Sequence, residues 1–465
     1  MLRFVDEPDP TAGAVRLKQP PGLFLLFGVE MWERFSFYGM RAMLVLFVAD
    51  SAMGGLGWSK PAADRLFGWY GFCAYSLPLA GGYVADRFLG THRSMVIGAC
   101  VIAAGHFCLA IPTPAAFFVG LALVVIGTGL FKPNVSTMVG QLYGERDPRR
   151  DGGYTIFYMG INVGGLLGPL VCAYLGESPR WGWHYGFGAA GVGMVMGLAL
   201  YLFLKARYLP GIGMVPSRRT AAQRASLAAP TAAARSPRLT RVERDCLIAL
   251  VVIMAFSVPF WTAFEQTGSS MNFFAAERTR RSILGHSFPA GWLQSVNSAI
   301  LLLTAPIFAW MWTALARRGR EPSTPVKVGA AMFMMAVGFV FMVFAARASE
   351  GGALVSPWWL IATYAFHTFG ELWMSPVGLS MVSKLAPLKF ASLLMGLWFF
   401  AMAVAEFLAG HLAALTDRVA RGEMFHVFGG QADFFLIFVI SSVLSGVLLL
   451  ALAPTLQRLT HGRDG

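Results

Sequence analysis

The chain lacks the marks of an enzyme. No His, Cys, Asp and Glu set has metal-ligand spacing, and there is no nucleophile elbow and no phosphate-cradling glycine loop. The five cysteines (Cys73, Cys100, Cys108, Cys172 and Cys246) are scattered, and four fall within apolar runs. No two have redox or metal spacing, so they read as small buried hydrophobes. Charge is also scarce: Asp, Glu, Lys and Arg make up 13% of the residues. Hydrophobic residues make up 56%, against roughly 45–50% in soluble domains. A chain of 465 residues cannot bury that much apolar surface in ordinary soluble cores, which implies a polytopic membrane protein. A cleavable signal pattern is missing too. Residues 1–20 are polar and Pro-rich, and the apolar run from Leu23 continues too long for a signal-peptide core.

What is present is a series of apolar stretches of about 20 residues, the length that crosses a bilayer. They lie near 22–49, 65–86, 94–112, 115–140, 153–175, 184–205, 246–274, 290–314, 326–346, 357–382, 390–415 and 432–455. The expectation is an all-α integral membrane protein with twelve transmembrane helices in two six-helix bundles, residues 1–206 and 245–465. Residues 207–244, rich in Ala, Arg, Ser and Pro, read as a flexible basic linker. Of the 37 Lys and Arg residues, 25 fall in the termini, the linker and the loops on their side. Nine fall in the opposite loops and three within spans. The positive-inside rule then puts both termini in the cytoplasm. The net charge of +13 is thereby a matter of topology and not a footprint for nucleic acid.

Eight ionisable side chains interrupt the spans: Glu30, Glu33, Arg34, Arg41, Lys132, Glu265, Glu371 and Glu406. Each charge near the middle of a bilayer costs about 2.5–3.5 kcal/mol on insertion scales. At 100° per residue, Glu30, Glu33, Arg34, Tyr38 and Arg41 share one face about 140° wide. A polar face on a membrane helix looks into a protein interior or a water-filled cavity. Five acids outnumber three bases, so a shared cavity would carry two uncompensated negative charges and draw in protons.

Two six-span halves joined by a cytoplasmic linker resemble the major facilitator fold. So does the stretch Gly82-Tyr-Val-Ala-Asp86-Arg87-Phe-Leu-Gly90 between spans two and three. Glu30-x-x-Glu33-Arg34-Phe-x-x-Tyr38-Gly39 is more specific, and resembles the first-helix signature of the proton-dependent oligopeptide transporter (POT) family. Further matches follow in register: Gly127-Thr-Gly-Leu-Phe-Lys132-Pro133, Phe157-Tyr158-Met-Gly-Ile-Asn162-Val-Gly164, Phe260-Trp261-Thr-Ala-Phe-Glu265-Gln266, Gln294-Ser295-Val-Asn297, Gly370-Glu371-Leu-Trp-Met-Ser375-Pro376 and Met395-Gly396-Leu-Trp398.

This resemblance implies a proton-coupled symporter of di- and tripeptides in a bacterial inner membrane, acting as a monomer without a cofactor other than the proton. It implies that Glu33 pairs with Lys132, that Glu30 and Arg34 complete that network, and that Arg41 pairs with Glu265, the coupling proton site. Arg34 and Lys132 would receive the peptide carboxylate and Glu371 the amino group. Asn162 and Asn297 would meet the peptide amide, while Tyr38, Tyr75, Ser375 and Trp398 would line the site. The alternative is a relative on the same scaffold that carries another solute, such as nitrate or a peptide-like metabolite. Phe37 departs from the family by replacing the first Tyr of a Tyr-Tyr pair, which removes a hydroxyl from the expected pocket. Glu406 is an acid without a family counterpart.

Overall fold

The computed structural model describes residues 18–144, 147–216, 239–283, 285–386, 390–424 and 426–461. Among these are twelve long helices. The first six are α1 (Pro21–Ala49), α2 (Lys60–Val84), α3 (Thr91–Leu109), α4 (Pro114–Gln141), α5 (Arg150–Gly176) and α6 (Trp183–Tyr208). The second six are α7 (Arg241–Phe264), α8 (Ser295–Arg317), α9 (Thr324–Ala348), α10 (Trp358–Leu385), α11 (Ala391–Ala413) and α12 (Gly430–Leu459). Most of the expected linker, 217–238, lies outside the described residues.

Local chemistry sets the ends of these helices. Proline occupies the first turn of α1, α2 and α4, where a missing N–H costs nothing. Thr240 and Glu243 form a reciprocal capping box at the start of α7, each side chain bonded to the other residue's backbone N–H. After α1, Asp50 gathers the N–H groups of Ala52, Met53 and Gly55 and the indole N–H of Trp183 on α6. Burial pushes the Asp50 carboxyl up, but these four donors outweigh it and hold it below its ordinary range.

Among the described residues, nine helical segments are long and apolar enough to cross a membrane. α1 is not among them because Glu30, Glu33, Arg34 and Arg41 interrupt every stretch of sufficient length. The outward faces are apolar as well: on α8, Leu303 is 75% and Trp310 72% exposed, and Phe203 on α6 is 84% exposed. An aqueous surface does not carry such faces, whereas a lipid-facing one does. The chain is therefore a multi-pass membrane protein.

Helices inside each half approach closely through glycine. On α3 and α4, a methyl at Gly98 would sit 2.7 Å from the Gly127 carbonyl oxygen, and one at Gly127 the same distance from that of Gly98. Gly105 and Gly120 repeat this reciprocal relation at 2.8 Å, two turns along. On α5, Gly164 and Gly168 leave no room for a side chain against the backbone of α1 at Met31 and Phe35. The halves meet by a symmetric rule: α2 packs on α11 and α5 packs on α8, the second helix of each half on the fifth of the other.

The seventh expected span, 246–274, is not one continuous helix. α7 ends at Phe264, residues Glu265–Gly268 form a tight turn, and a short helix, Ser270–Glu277, follows. The Gln266 side chain bridges this break and ties it to α11. Its amide donates to the carbonyls of Thr262 and of Ala409 on α11, and its oxygen accepts from Ser270. A two-stranded hairpin, β1 (Ser282–Ile283) and β2 (His286–Ser287), then leads towards α8.

Candidate functional site

Three groups of buried polar side chains face one another where the halves meet. The first lies on α1 and α4. Glu33 and Arg34 form a two-pronged pair, with Nη2 donating to Oε1 at 2.6 Å and Nε to Oε2. Glu30 lies 3.4 Å from Arg34 Nε. All three are at most 3% exposed. The expected Glu33–Lys132 pair is not formed. Adjacent on the helix, Arg34 presents a planar fork that occupies both Glu33 oxygens. Lys132 instead places its ammonium over the Tyr75 ring, 4.1 Å from the centroid. Among the described residues it has no carboxylate within ion-pair distance.

The second group joins three helices. Arg41 on α1 pairs with Glu265 at the break after α7, as expected. It also pairs with Glu406 on α11, with Nη2 3.0 Å from Oε2. The Arg41 guanidinium lies over the Phe67 ring at 4.7 Å. The third group surrounds Glu371 on α10. One oxygen accepts from Asn297 Nδ2 at 3.0 Å and the other from the Tyr158 hydroxyl at 3.3 Å. Asn297 also donates to Thr368, and Asn162 donates one turn back to the Tyr158 carbonyl.

Tyr38 lies between these groups, within electrostatic reach of Arg34, Arg41, Glu265 and Glu371. Its ring faces Gly165 of α5, which in turn lies against the Ser298 hydroxyl of α8. Tyr75 and Trp398 are buried and Ser375 half-buried. Ser375 sits one turn beyond Glu371 on α10 and makes no bond to it among the described residues.

The excess of acids now has an address. Glu30 and Glu33 are balanced by Arg34 and Lys132. One surplus negative charge sits on the Arg41 group, where two carboxylates face one guanidinium. The other sits on Glu371, which among the described residues meets only neutral donors. Among the described residues, the arrangement offers a cation with no carboxylate in ion-pair contact from one half and a carboxylate with no cation from the other.

Two functional features escaped the sequence reading. Tyr158 was visible in the α5 motif, but nothing local tied it to Glu371, which lies 213 residues away. Glu406 was visible as an extra acid without a partner. Phe37 also changes its meaning. It is 3% exposed, lies 4.7 Å beneath Arg34 and 5.9 Å from Arg41, and stacks on Tyr70. It is a platform for two guanidinium groups.

A sequence model of the POT family matches residues 92–211 and 221–427. The chain is 37% identical to an uncharacterized transporter of Bacillus subtilis, over 95% of each chain. It is 34% identical to a peptide transporter of Yersinia enterocolitica (96% of this chain, 95% of the relative). It is 31% identical to a di-/tripeptide transporter of Lactococcus lactis (95% and 96%). Among solved structures, a peptide transporter crystallised with sulfate superposes with a TM-score of 0.84 at 35% identity, covering 96% of both chains.

Proposed function

The chain belongs to the POT family, and we propose that it is a proton-coupled symporter that imports di- and tripeptides by alternating access. The observation that carries this reading is the division of charge between the halves. Lys132 on α4 has no carboxylate partner among the described residues, and Glu371 on α10 has no cation. A zwitterionic peptide offers each a partner in contact, its carboxylate to Lys132 beside Arg34 and its ammonium to Glu371. The names of the Yersinia and Lactococcus relatives support peptides as the substrate class.

Asn162 and Asn297 each carry a donor and an acceptor and suit the peptide amide. Tyr38, Tyr75, Ser375 and Trp398 line the space for side chains. Binding both ends of a peptide draws the two halves together. Protonation at the Arg41 group weakens the tie between α1 and the second half, so the opposite face can open. The protein works in this reading as a monomer in a bacterial inner membrane, with both termini cytoplasmic, and passes its substrate through unaltered.

Uptake of labelled dialanine into proteoliposomes tests the proposal. Accumulation above equilibrium is expected only with an inward proton gradient. No uptake by folded, inserted protein would set the peptide reading aside in favour of a solute such as nitrate or a peptide-like metabolite.

A further inference from the structure

Glu406 has no part in the peptide-binding scheme, yet it is one of the most deeply placed acids in the protein, 2% exposed. It leaves α11 towards α2 and lies on Gly71. A methyl there would sit 2.6 Å from Oε2 and 2.8 Å from both Cβ and Cδ of Glu406, so glycine at 71 is what admits this side chain. One carboxylate oxygen, Oε2, reaches Arg41 at 3.0 Å; the other, Oε1, is buried and has no hydrogen-bond donor among the described residues. Glu265 shares the same guanidinium. Both acids are anchored in one half, because the break after α7 is tied to α11 by Thr262 to the Ala405 carbonyl and Gln266 to that of Ala409. Arg41 comes from the other half.

The remaining ionisable neighbours do not remove the imbalance. Lys132 of α4 and Tyr70 and Tyr75 of α2 lie within electrostatic range of Glu406. Lys132, however, is engaged over Tyr75 and is acted on more strongly by Glu33 and Glu30 than by Glu406. On α11 itself, His411 is turned to the Phe407 carbonyl. Arg41 is the cation in contact with the pair.

We propose that Glu406 and Glu265 form a proton-sharing carboxyl pair on Arg41, and that the proton they share is the coupling proton. This deepens the symporter reading and rests on it. Two buried carboxylates on one cation cannot both stay ionised without an uncompensated charge. A proton taken from the aqueous side forms one O–H bond on either carboxyl and leaves the other paired with Arg41, so the group becomes electroneutral. Loss of that proton to the other side restores the single negative charge. Glu265 alone with Arg41 would already be electroneutral, with no surplus negative charge for a proton to answer. Glu406 is thus the residue that brings proton loading into the physiological range.

The test is a proton-uptake titration of the purified full-length protein between pH 9 and pH 5, without substrate. Wild type is compared with Glu406→Gln, Glu265→Gln and the double variant. Each single variant is expected to take up about one proton fewer than wild type, and the double variant no fewer than either single one. In proteoliposomes, Glu406→Gln is expected to move the external pH for half-maximal driven uptake to the acid side, out of the titrated range. If Glu406→Gln takes up as many protons as wild type, or if the single losses add in the double variant, the proposal is overturned. Thermal unfolding reports whether each variant is folded. Should Glu406→Gln not fold, Gly71→Ala/Glu406→Ala removes the carboxyl while the new methyl fills part of its space, and the same titration is read on it. Because the titration needs no peptide, failure of wild type to accumulate dialanine would count against symport alone.

Discussion

At the scale of single residues, the polar groups divide into those that satisfy one another and those left for something else. Glu33 and Arg34 are saturated by each other, while Lys132 and Glu371 are not. The two unsaturated groups make the sharpest predictions. Glu371→Gln removes the negative charge but keeps a hydrogen-bonding side chain of the same size. Loss of one member of a buried charge pair costs about 2 kcal/mol or more, about 30-fold in affinity. Peptides with a free amino terminus should weaken by that factor in competition assays, and N-acetylated peptides should barely change. Equal losses for both would remove Glu371 from amine recognition. Lys132→Gln should in the same way erase the preference for a free carboxylate over a C-terminal amide, by about ten-fold. A preserved preference would assign the carboxylate to Arg34 alone.

At the scale of helices, glycines decide which substitutions the fold accepts. A side chain at Gly164 would meet the Met31 carbonyl oxygen at 2.3 Å and Arg34 Cβ at 2.8 Å, so Gly164→Val must part α1 from α5 and move Arg34 with it. The expected cost is about 1–3 kcal/mol, seen as a lower unfolding temperature together with lost peptide binding. Gly188 on α6 has only Ala110 Cβ at 3.7 Å, so Gly188→Ala should leave that temperature unchanged or raise it. The positions of α1 to α6 were legible in the sequence because each apolar run ends at a Pro, Gly or charged loop. The polar face of α1 was legible from helical periodicity alone. The break in α7 was not. Its polar stretch Glu265-Gln-Thr-Gly-Ser-Ser270 lies between apolar runs that together have the length of one span, and its stability depends on Gln266 reaching Ala409, a contact with no local trace. The partner of Glu406 was hidden for the same reason, since Arg41 lies 365 residues away in sequence. The Glu33–Lys132 pairing failed for a local cause instead, the fork of the adjoining Arg34.

At the scale of the whole molecule, the described hydrogen bonds and ion pairs between the halves, apart from those of Arg41 and of Tyr158 with Glu371, gather at the end opposite the linker. Lys60 at the start of α2 pairs with Glu277 at 2.5 Å. Glu177, just past α5, accepts from the N–H groups of Ala290 and Gly291 at 2.7 and 2.8 Å. Trp292 and Ser295 donate to the carbonyls of Leu170 and Leu166, and Asn272 to that of Ala42. The face that these contacts close must open if substrate crosses by alternate exposure, and every one of them is a hydrogen bond or ion pair that can be exchanged for water. The symmetric interface, α2 on α11 and α5 on α8, suits a rocking motion about the Arg41 group. Holding Lys60 and Glu277 together should therefore stop transport without abolishing binding. With the five native cysteines replaced, Lys60→Cys/Glu277→Cys joined by a short cleavable dithiol linker is expected to bind peptide but to accumulate none, and reductive cleavage should restore uptake. Full uptake by completely cross-linked protein would mean that this face does not part during the cycle, and that the halves move about some other contact.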